Sequence, residues 1–344
     1  MGQHQTDVNP VFMQRALELA TRAQGYVSPN PMVGCVVVHD GNIIGEGFHQ
    51  RYGQAHAEVN AIASVSDRAK LKDSTVYVTL EPCSHFGKTP PCADLLIREG
   101  VKRVVVACED VNSEVSGRGI RKLREAGIEV EVGIMESEAK FLNRRFIHWM
   151  QHRKPYVILK WAQTSDGFIA REDGSSKWIS DAYSRQLVHQ WRAQEDGILI
   201  GSGTVRADNP RLNVRMAGGR DPVRIIIDRK HSLPDLVHVF DGSQKTICYT
   251  TNYAAAQGQN SWVKLEGEDF IEALLGDLYE KKIQSVIVEG GAAVFHAFAN
   301  HWQEARVFES PATFGTGIPA PKLTGSFQTR QLRNDVLKTY YNHG

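Results

Sequence analysis

Three side chains in the first hundred residues are of the types that grip a catalytic metal. His56 stands in His56-Ala57-Glu58, and Cys83 and Cys92 follow at the two ends of an eight-residue spacer. One imidazole and two thiolates suit Zn²⁺, and three protein ligands leave the fourth tetrahedral position to water. Glu58, two residues from the histidine, can lie beside that water without binding the metal. Zinc then lowers the pKa of the water while the carboxylate moves its proton. A lone His-x-Glu triplet is weak. Followed by a strand, a Pro-Cys pair and a second Cys at a helix start, it becomes a much stronger pattern.

These parts resemble the nucleobase deaminase signature, in which zinc-activated hydroxide attacks an amino-bearing ring carbon. The elements that must position them are legible. His56-Ala57-Glu58-Val59-Asn60-Ala61 opens a helical stretch, and Thr75 to Leu80 reads as a strand running into Glu81-Pro82-Cys83. Pro90 and Pro91 suit the first positions of a helix, which puts Cys92 in its first turn, where the helix dipole favours the thiolate. Upstream, Phe12, Met13, Ala16, Leu17, Ala20 and Ala23 recur at helical spacing. Ser28-Pro29-Asn30-Pro31 forces an extended turn. Val33 to Val38 and Ile43 to Gly47 form a hairpin around His39-Asp40-Gly41-Asn42. Downstream, helices at Ala93–Glu99 and Ile120–Ala126 alternate with strands at Arg103–Cys108 and Ile128–Val132. The alternation predicts a sheet covered by helices on both faces, with the ligand at the strand ends. Cys35 and Cys108 sit in Val-rich strands and read as buried small hydrophobes.

Ser28-Pro29-Asn30-Pro31-Met32-Val33-Gly34, the helix around His56-Ala57-Glu58, and Pro82-Cys83-Ser84-His85 through Thr89-Pro90-Pro91-Cys92 resemble the bifunctional riboflavin-biosynthesis deaminase/reductase family. The resemblance implies a cytidine-deaminase-like three-layer αβα domain with zinc ligands His56, Cys83 and Cys92 and with Glu58 as proton shuttle. It suggests Asn30 and His49 as pocket residues. That family deaminates a diaminopyrimidine ribose phosphate and then reduces its ribose to ribityl. The spacer between the cysteines is longer than the two residues usual in simple deaminases, and its His85, Lys88 and Thr89 are suited to a charged substituent such as phosphate.

In the second half, Glu136 to Met150 reads as one helix, broken by His152-Arg153-Lys154-Pro155. The boundary falls near residue 150, giving a deaminase domain over 1–150 and a reductase domain over 151–344. Strands at Tyr156–Trp161, Ile198–Gly201, Val223–Asp228, Lys245–Thr250 and Ser285–Val288, with helices at Leu187–Arg192 and Asp269–Tyr279, describe another α/β domain. The apolar run Val286-Ile287-Val288 ends in Glu289-Gly290-Gly291 and enters a helix, and Gly201-Ser202-Gly203-Thr204 is a second loop of that kind. Such loops let backbone amides approach a phosphate.

Lys160-Trp161-Ala162-Gln163-Thr164-Ser165-Asp166-Gly167, Gly203-Thr204-Val205, Asp208-Asn209-Pro210 and Glu289-Gly290-Gly291 are similar to the reductase half of the same family, a dihydrofolate-reductase-like α/β fold using NADPH. Carried over by motif, Ala162, Trp178, Thr204, Asp208 and the run Gly291, Ala292, Ala293, Val294, Phe295, His296, Ala297 line the NADPH. Ser176, Arg192, Arg211, Leu212, Arg215 and Glu289 face the substrate. Arg192 and Arg215 are fork donors suited to a ribose phosphate. Lys160 or Asp166 is expected to supply the proton that follows hydride addition. Thr164-Ser165 departs from the Ser-Leu usual in the family but keeps a hydroxyl. The tail from Gln328 carries little signal.

Composition limits the alternatives. A chain of 344 residues suits two domains, and a net charge of +1 offers nucleic acid or an anionic membrane no global field. Five cysteines, two of them in a metal-like pattern, argue for a reducing compartment. Met1 to Asp7 is polar, without the apolar core of a leader, and no run approaches the ~20 apolar residues that span a bilayer. A cytoplasmic enzyme of small-molecule substrates is expected, with neither nucleic acid nor membrane as partner and with association into a homo-oligomer. A tRNA-type deaminase with a nucleic-acid-binding second domain would need a basic surface. A purely structural zinc would need a fourth ligand, for which His49 and His85 are the candidates.

Overall fold

The computed structural model describes residues 8–84, 90–111, 116–176, 178–267 and 269–342. The chain divides into two units, Met1–His152 and Arg153–Gly344.

The first unit runs α1 (Pro10–Thr21), β1 (Gly34–His39), β2 (Asn42–Phe48), α2 (Ala57–Ala63), β3 (Thr75–Val78), α3 (Cys92–Glu99), β4 (Arg103–Val106), α4 (Arg118–Glu125), β5 (Glu129–Val132), α5 (Glu136–Leu142) and α6 (Arg144–His152). Its sheet has the order β2-β1-β3-β4-β5. β1 is antiparallel to β2 and β3, while β3, β4 and β5 run parallel. Side chains alternate across it, as a two-residue period requires. Cys35 and Val37 pack with Ala61 of α2, Leu96 of α3 and Leu123 of α4. Val36 and Val38 pack with Met13 and Leu17 of α1 and Ala139 of α5. The result is three layers, with Cys35 and Cys108 in the core as expected.

The single helix expected over Glu136–Met150 is two helices, α5 and α6, broken at Asn143. The Asn143 amide is buried and makes two bonds to one residue. Its Oδ1 accepts from the Met32 N–H at 2.8 Å, and its Nδ2 donates to the Met32 carbonyl at 2.9 Å. Periodicity does not register this break, because the partner lies 111 residues away.

The second unit runs β6 (Tyr156–Thr164), β7 (Phe168–Ala170), α7 (Ala182–Gln194), β8 (Gly197–Gly201), α8 (Ser202–Asp208), β9 (Val223–Ile227), β10 (Thr246–Thr250), β11 (Ala255–Gln257), β12 (Asn260–Lys264), α9 (Phe270–Glu280), β13 (Ser285–Val288), α10 (Ala292–Ala297), β14 (Glu304–Ser310), β15 (Ile318–Pro319), β16 (Phe327–Gln331) and β17 (Val336–Tyr341). Ten strands form one sheet in the order β11-β12-β10-β9-β8-β13-β6-β14-β17-β16. The strands from β12 to β14 in that order are parallel, and the outer pairings are antiparallel. Parallel strands covered on both faces read as continuous apolar runs, as in Ser285–Val288, where every residue is buried. α9 and α10 cover one face and α7 and α8 the other. The tail from Gln328 is a well-formed hairpin, β16–β17, joined to the sheet through β14. Its signal was present in the β-branched and aromatic run Val336 to Tyr341.

Candidate active sites

In the first unit, α2, the end of β3 and the start of α3 meet. His56 is the residue before α2, Glu58 lies in its first turn, Cys83 follows β3, and Cys92 is the first residue of α3. The ligand atoms of His56, Cys83 and Cys92 all lie within 4.8 Å of one another. His56 Nδ1 is 3.3 Å from Cys92 Sγ and 3.6 Å from Cys83 Sγ. Zinc bonds of ~2.0 Å to nitrogen and ~2.3 Å to sulfur place tetrahedral ligands ~3.5–3.8 Å apart. The donor set and its spacing therefore fit zinc.

The protonation chemistry agrees. Hydrogen bonds from Cys92 and His56 pull the Cys83 thiol well down, and the Cys92 backbone N–H donates to the Cys83 sulfur at 3.3 Å. The Cys92 thiol is pushed up by its bond to Cys83 and by burial. Two thiols this close share one proton, which a metal displaces. Burial pushes the Glu58 carboxyl up to about 7, with the Cys83 charge adding to the effect. A carboxyl near neutrality takes and returns protons readily.

Asn30 and His49 stand together beside this cluster. Asn30 Nδ2 lies 3.2 Å from His49 Nε2, and His49 Nδ1 lies 3.1 Å from the Ala55 carbonyl. That pattern fits a neutral ring donating from Nδ1, and burial lowers its pKa. The His49 ring packs edge-on against His56, with centroids 5.6 Å apart. Among the described residues the metal cluster has three protein ligands, His49 not being one. His85, Lys88 and Thr89 lie outside the described residues.

In the second unit the centre is Glu289, just beyond β13. Arg192 of α7 binds it with both arms of its fork, Nε to Oε1 at 2.9 Å and Nη2 to Oε2 at 2.8 Å. Lys160 Nζ of β6 lies 3.6 Å from Oε2. Burial acts to raise the Glu289 carboxyl, but Arg192 and Lys160 outweigh it and hold it at about 2. Burial lowers the Lys160 ammonium, against the pull of Glu289. Arg192 Nη1 also donates to the Asn213 carbonyl at 3.4 Å. Arg215 stands nearby, its pKa lowered by burial and by the Arg192 charge. Its backbone N–H donates to His189 Nδ1 at 3.3 Å, and its Nη1 donates to Asn213 Oδ1 at 3.2 Å.

The two glycine loops lie side by side, because β8 and β13 are neighbours. A Cβ on Gly290 would meet Ile200 Cα at 2.6 Å, and one on Gly291 (φ +55) would lie 3.2 Å from Thr204 Oγ1. Only glycine permits that approach.

The other expected residues lie in varied surroundings. Val294 and Phe295 are core side chains, Phe295 packing on Trp161 at 5.4 Å. Leu212 is also buried in the core, with φ +55. Arg211 turns to His238 and Asp241. Asp166 is exposed and accepts the Phe314 and Gly315 N–H groups, so its carboxylate closes a turn. Ala292, Ala293, His296 and Ala297 are exposed on α10 and Asp208 ends α8, while Ala162 and Ser176 are half-buried. Trp178 is exposed, with the Arg185 guanidinium over its ring at 4.5 Å.

Three residues escaped the sequence reading: Asn143, His189 and Glu81. His189 sits three residues before Arg192 on α7, a spacing that shares a helix face. Glu81 immediately precedes the Pro-Cys pair, and that adjacency was its only signal.

The fold and the His-Cys-Cys cluster are those of a zinc deaminase of the nucleobase type, followed by a second α/β unit on a largely parallel sheet. The family comparisons agree. Residues 7–108 match the cytidine and deoxycytidylate deaminase zinc-binding region, and residues 155–342 match the RibD C-terminal domain. The chain is 43% identical over 324 residues to the riboflavin biosynthesis protein RibD of Bacillus amyloliquefaciens, covering 91% of this chain and 86% of that protein. It is 38% identical over 325 residues to RibD of Escherichia coli K12, covering 89% and 88%. Among solved structures, the diaminohydroxyphosphoribosylaminopyrimidine deaminase/5-amino-6-(5-phosphoribosylamino)uracil reductase of Thermotoga maritima superposes with a TM-score of 0.89 at 41% identity, covering 96% and 97% of the two chains. Acinetobacter baumannii RibD superposes at 0.87 with 36% identity, covering 96% and 98%. The chain belongs to the RibD family, the bifunctional deaminase/reductases of riboflavin biosynthesis. Zinc serves the deaminase half and NADPH the reductase half. No helix among the described residues is long and apolar enough to cross a membrane.

Proposed function

We propose that His56, Cys83 and Cys92 hold the zinc and that Glu58 carries protons between water and the leaving amine. The single observation behind this reading is the convergence of one imidazole nitrogen and two sulfurs within 4.8 Å, with a buried carboxyl beside them. Zinc bound there supplies an acidified water for attack on carbon 2 of the diaminopyrimidine. Glu58 takes one proton from that water and returns it to the departing ammonia. Asn30, held by His49, orients the base edge.

In the second unit, Glu289 and Arg215 bind the ribose phosphate substrate, and Arg192 holds Glu289 in place. Lys160 gives a proton to the sugar oxygen once the ring opens, which its burial-lowered pKa favours. NADPH, which supplies the hydride, lies over the Gly290-Gly291 and Gly201–Thr204 loops, where Thr204 and the backbone of 291–297 contact it. The deaminase domain is the first unit and the reductase domain the second. Five free cysteines support a cytoplasmic setting. The exposed edge strand β16 supports a homo-oligomer, which sedimentation tests.

The assay that tests the assignment supplies the diaminopyrimidine ribose phosphate and follows ammonia release and NADPH oxidation separately. Ammonia release should come first and stop on zinc removal, and NADPH oxidation should then require the deaminated product. NADPH oxidation on the undeaminated substrate, with no ammonia released, overturns the order proposed.

A further inference from the structure

We infer that Glu81 is a positioning residue for the metal site: its buried carboxylate fixes the strand end that presents Cys83, and with it the geometry of zinc binding. The inference rests on the zinc assignment above and goes beyond it to a residue that touches neither metal nor substrate.

Glu81 is 4% exposed, two residues before Cys83. Four backbone N–H groups converge on its two oxygens. Oε1 accepts from Gly119 at 2.9 Å and Ile120 at 3.3 Å, and Oε2 accepts from Gly117 at 2.9 Å and Asp110 at 3.2 Å. Its own N–H donates to the Cys108 carbonyl at 3.0 Å. Three of those donors belong to the first turn of α4 and its cap, groups that no intrahelical bond satisfies. Glu81 therefore stitches the segment after β3 to the segment after β4. The fit is tight, since a Cβ on Gly119 would lie 2.0 Å from the Pro82 carbonyl. Pro82 then leaves little backbone freedom between this anchor and the Cys83 sulfur. The Cys83 carbonyl in turn accepts the Ala93 N–H at 3.1 Å, carrying the same register to α3 and Cys92.

Only an ionised carboxylate offers acceptors to all four donors. A glutamine presents an NH₂ group to two of them, and an alanine presents nothing. Partners that orient metal ligands from behind typically cost ~10–100-fold in metal affinity when removed.

The experiment uses the full-length protein and two variants, Glu81→Ala and Glu81→Gln. Zinc affinity is measured by competition with a chromophoric chelator, and the thiolate environment by the visible spectrum after cobalt substitution. Ammonia release at saturating zinc and NADPH oxidation by the second unit are read from the same preparations. We expect zinc affinity to fall ~10–100-fold, the cobalt bands to shift, and NADPH oxidation on the deaminated product to hold. Glu81→Gln should behave more like the alanine variant than like the parent. If Glu81→Ala leaves the first unit unfolded, the cobalt spectrum and zinc affinity of Glu81→Gln decide alone. Lower thermal stability with parental zinc affinity, cobalt spectrum and ammonia release overturns the inference, because it leaves Glu81 an ordinary structural group. A parent protein that binds no zinc refutes the metal assignment instead, and is distinguishable on that ground.

Discussion

The proposed deaminase site takes its ligands from the ends of three elements, with His56 and Glu58 at the start of α2 and Cys83 and Cys92 at the two ends of an eight-residue spacer. The proposed reductase site draws Lys160, Arg192 and Glu289 from β6, α7 and the end of β13, with Arg192 and Glu289 separated by 97 residues. The first gathers one imidazole and two thiols, a donor set suited to a bound ion. The second offsets charge internally, one carboxylate set between two cations, and keeps a net positive charge. A site completed by an ion needs particular donor atoms at short range, whereas a site balanced by ion pairs needs a whole sheet to bring the partners together.

The contrast can be broken first at Glu58. Glu58→Gln should lower ammonia release ~10²–10⁴-fold, the range of a single acid–base group, while zinc content and NADPH oxidation on the deaminated product hold. Loss of both activities in a folded, zinc-loaded variant would falsify the division of labour between the units. Next comes Glu289. Glu289→Ala leaves Lys160 and Arg192 buried without their carboxylate and should destabilise the second unit by ~3–5 kcal/mol. Urea unfolding of that unit should show the loss, and NADPH oxidation should fall while ammonia release holds; an unchanged unfolding midpoint would mean the carboxylate is dispensable to the charge balance.

His189 sharpens the comparison through pH. It lies buried among Arg192, Arg215 and Glu289, and burial followed by the two arginines lowers its pKa from 6.5 to about 4. Between those values the unfolded chain binds more protons than the folded one, so the stability is fully present above pH ~6.5 and is lost as pH falls toward about 4. The loss should reach at most ~3 kcal/mol for a shift of this size. Urea midpoints of the second unit measured across that window should slope in the parent and flatten in His189→Gln, and parallel slopes would exclude His189 as the cause. The smallest effect expected is at Asn143. Asn143→Ala leaves the buried Met32 N–H and carbonyl without partners and should cost ~2 kcal/mol. Because Met32 ends the turn that carries Asn30, the deaminase KM should rise more than its kcat falls; an unchanged KM would detach Asn30 from substrate binding.

The sequence reached unevenly into these two sites. His56, Glu58, Cys83 and Cys92 were readable because metal-ligand spacing is local and few residue types can serve. Lys160, Arg192 and Glu289 were reachable only through family resemblance, since nothing within any one segment says that they meet. A lone arginine such as Arg192 reads in sequence as a free phosphate donor, and only the folded chain supplies Glu289 to its fork. The motifs that name Val294, Phe295 and Leu212 carry no sign that their side chains pack inward.

By itself, the sequence determined the donor atoms, the alternation of strands and helices, and the glycines where two loops must touch, because each follows from local stereochemistry or from the limited choice of ligating groups. The tertiary structure alone decided which carboxylate neutralises which cation, where the Glu136–Met150 helix breaks, and what braces Cys83 from behind. Those outcomes depend on contacts between segments distant along the chain, and short-range patterns carry no record of them.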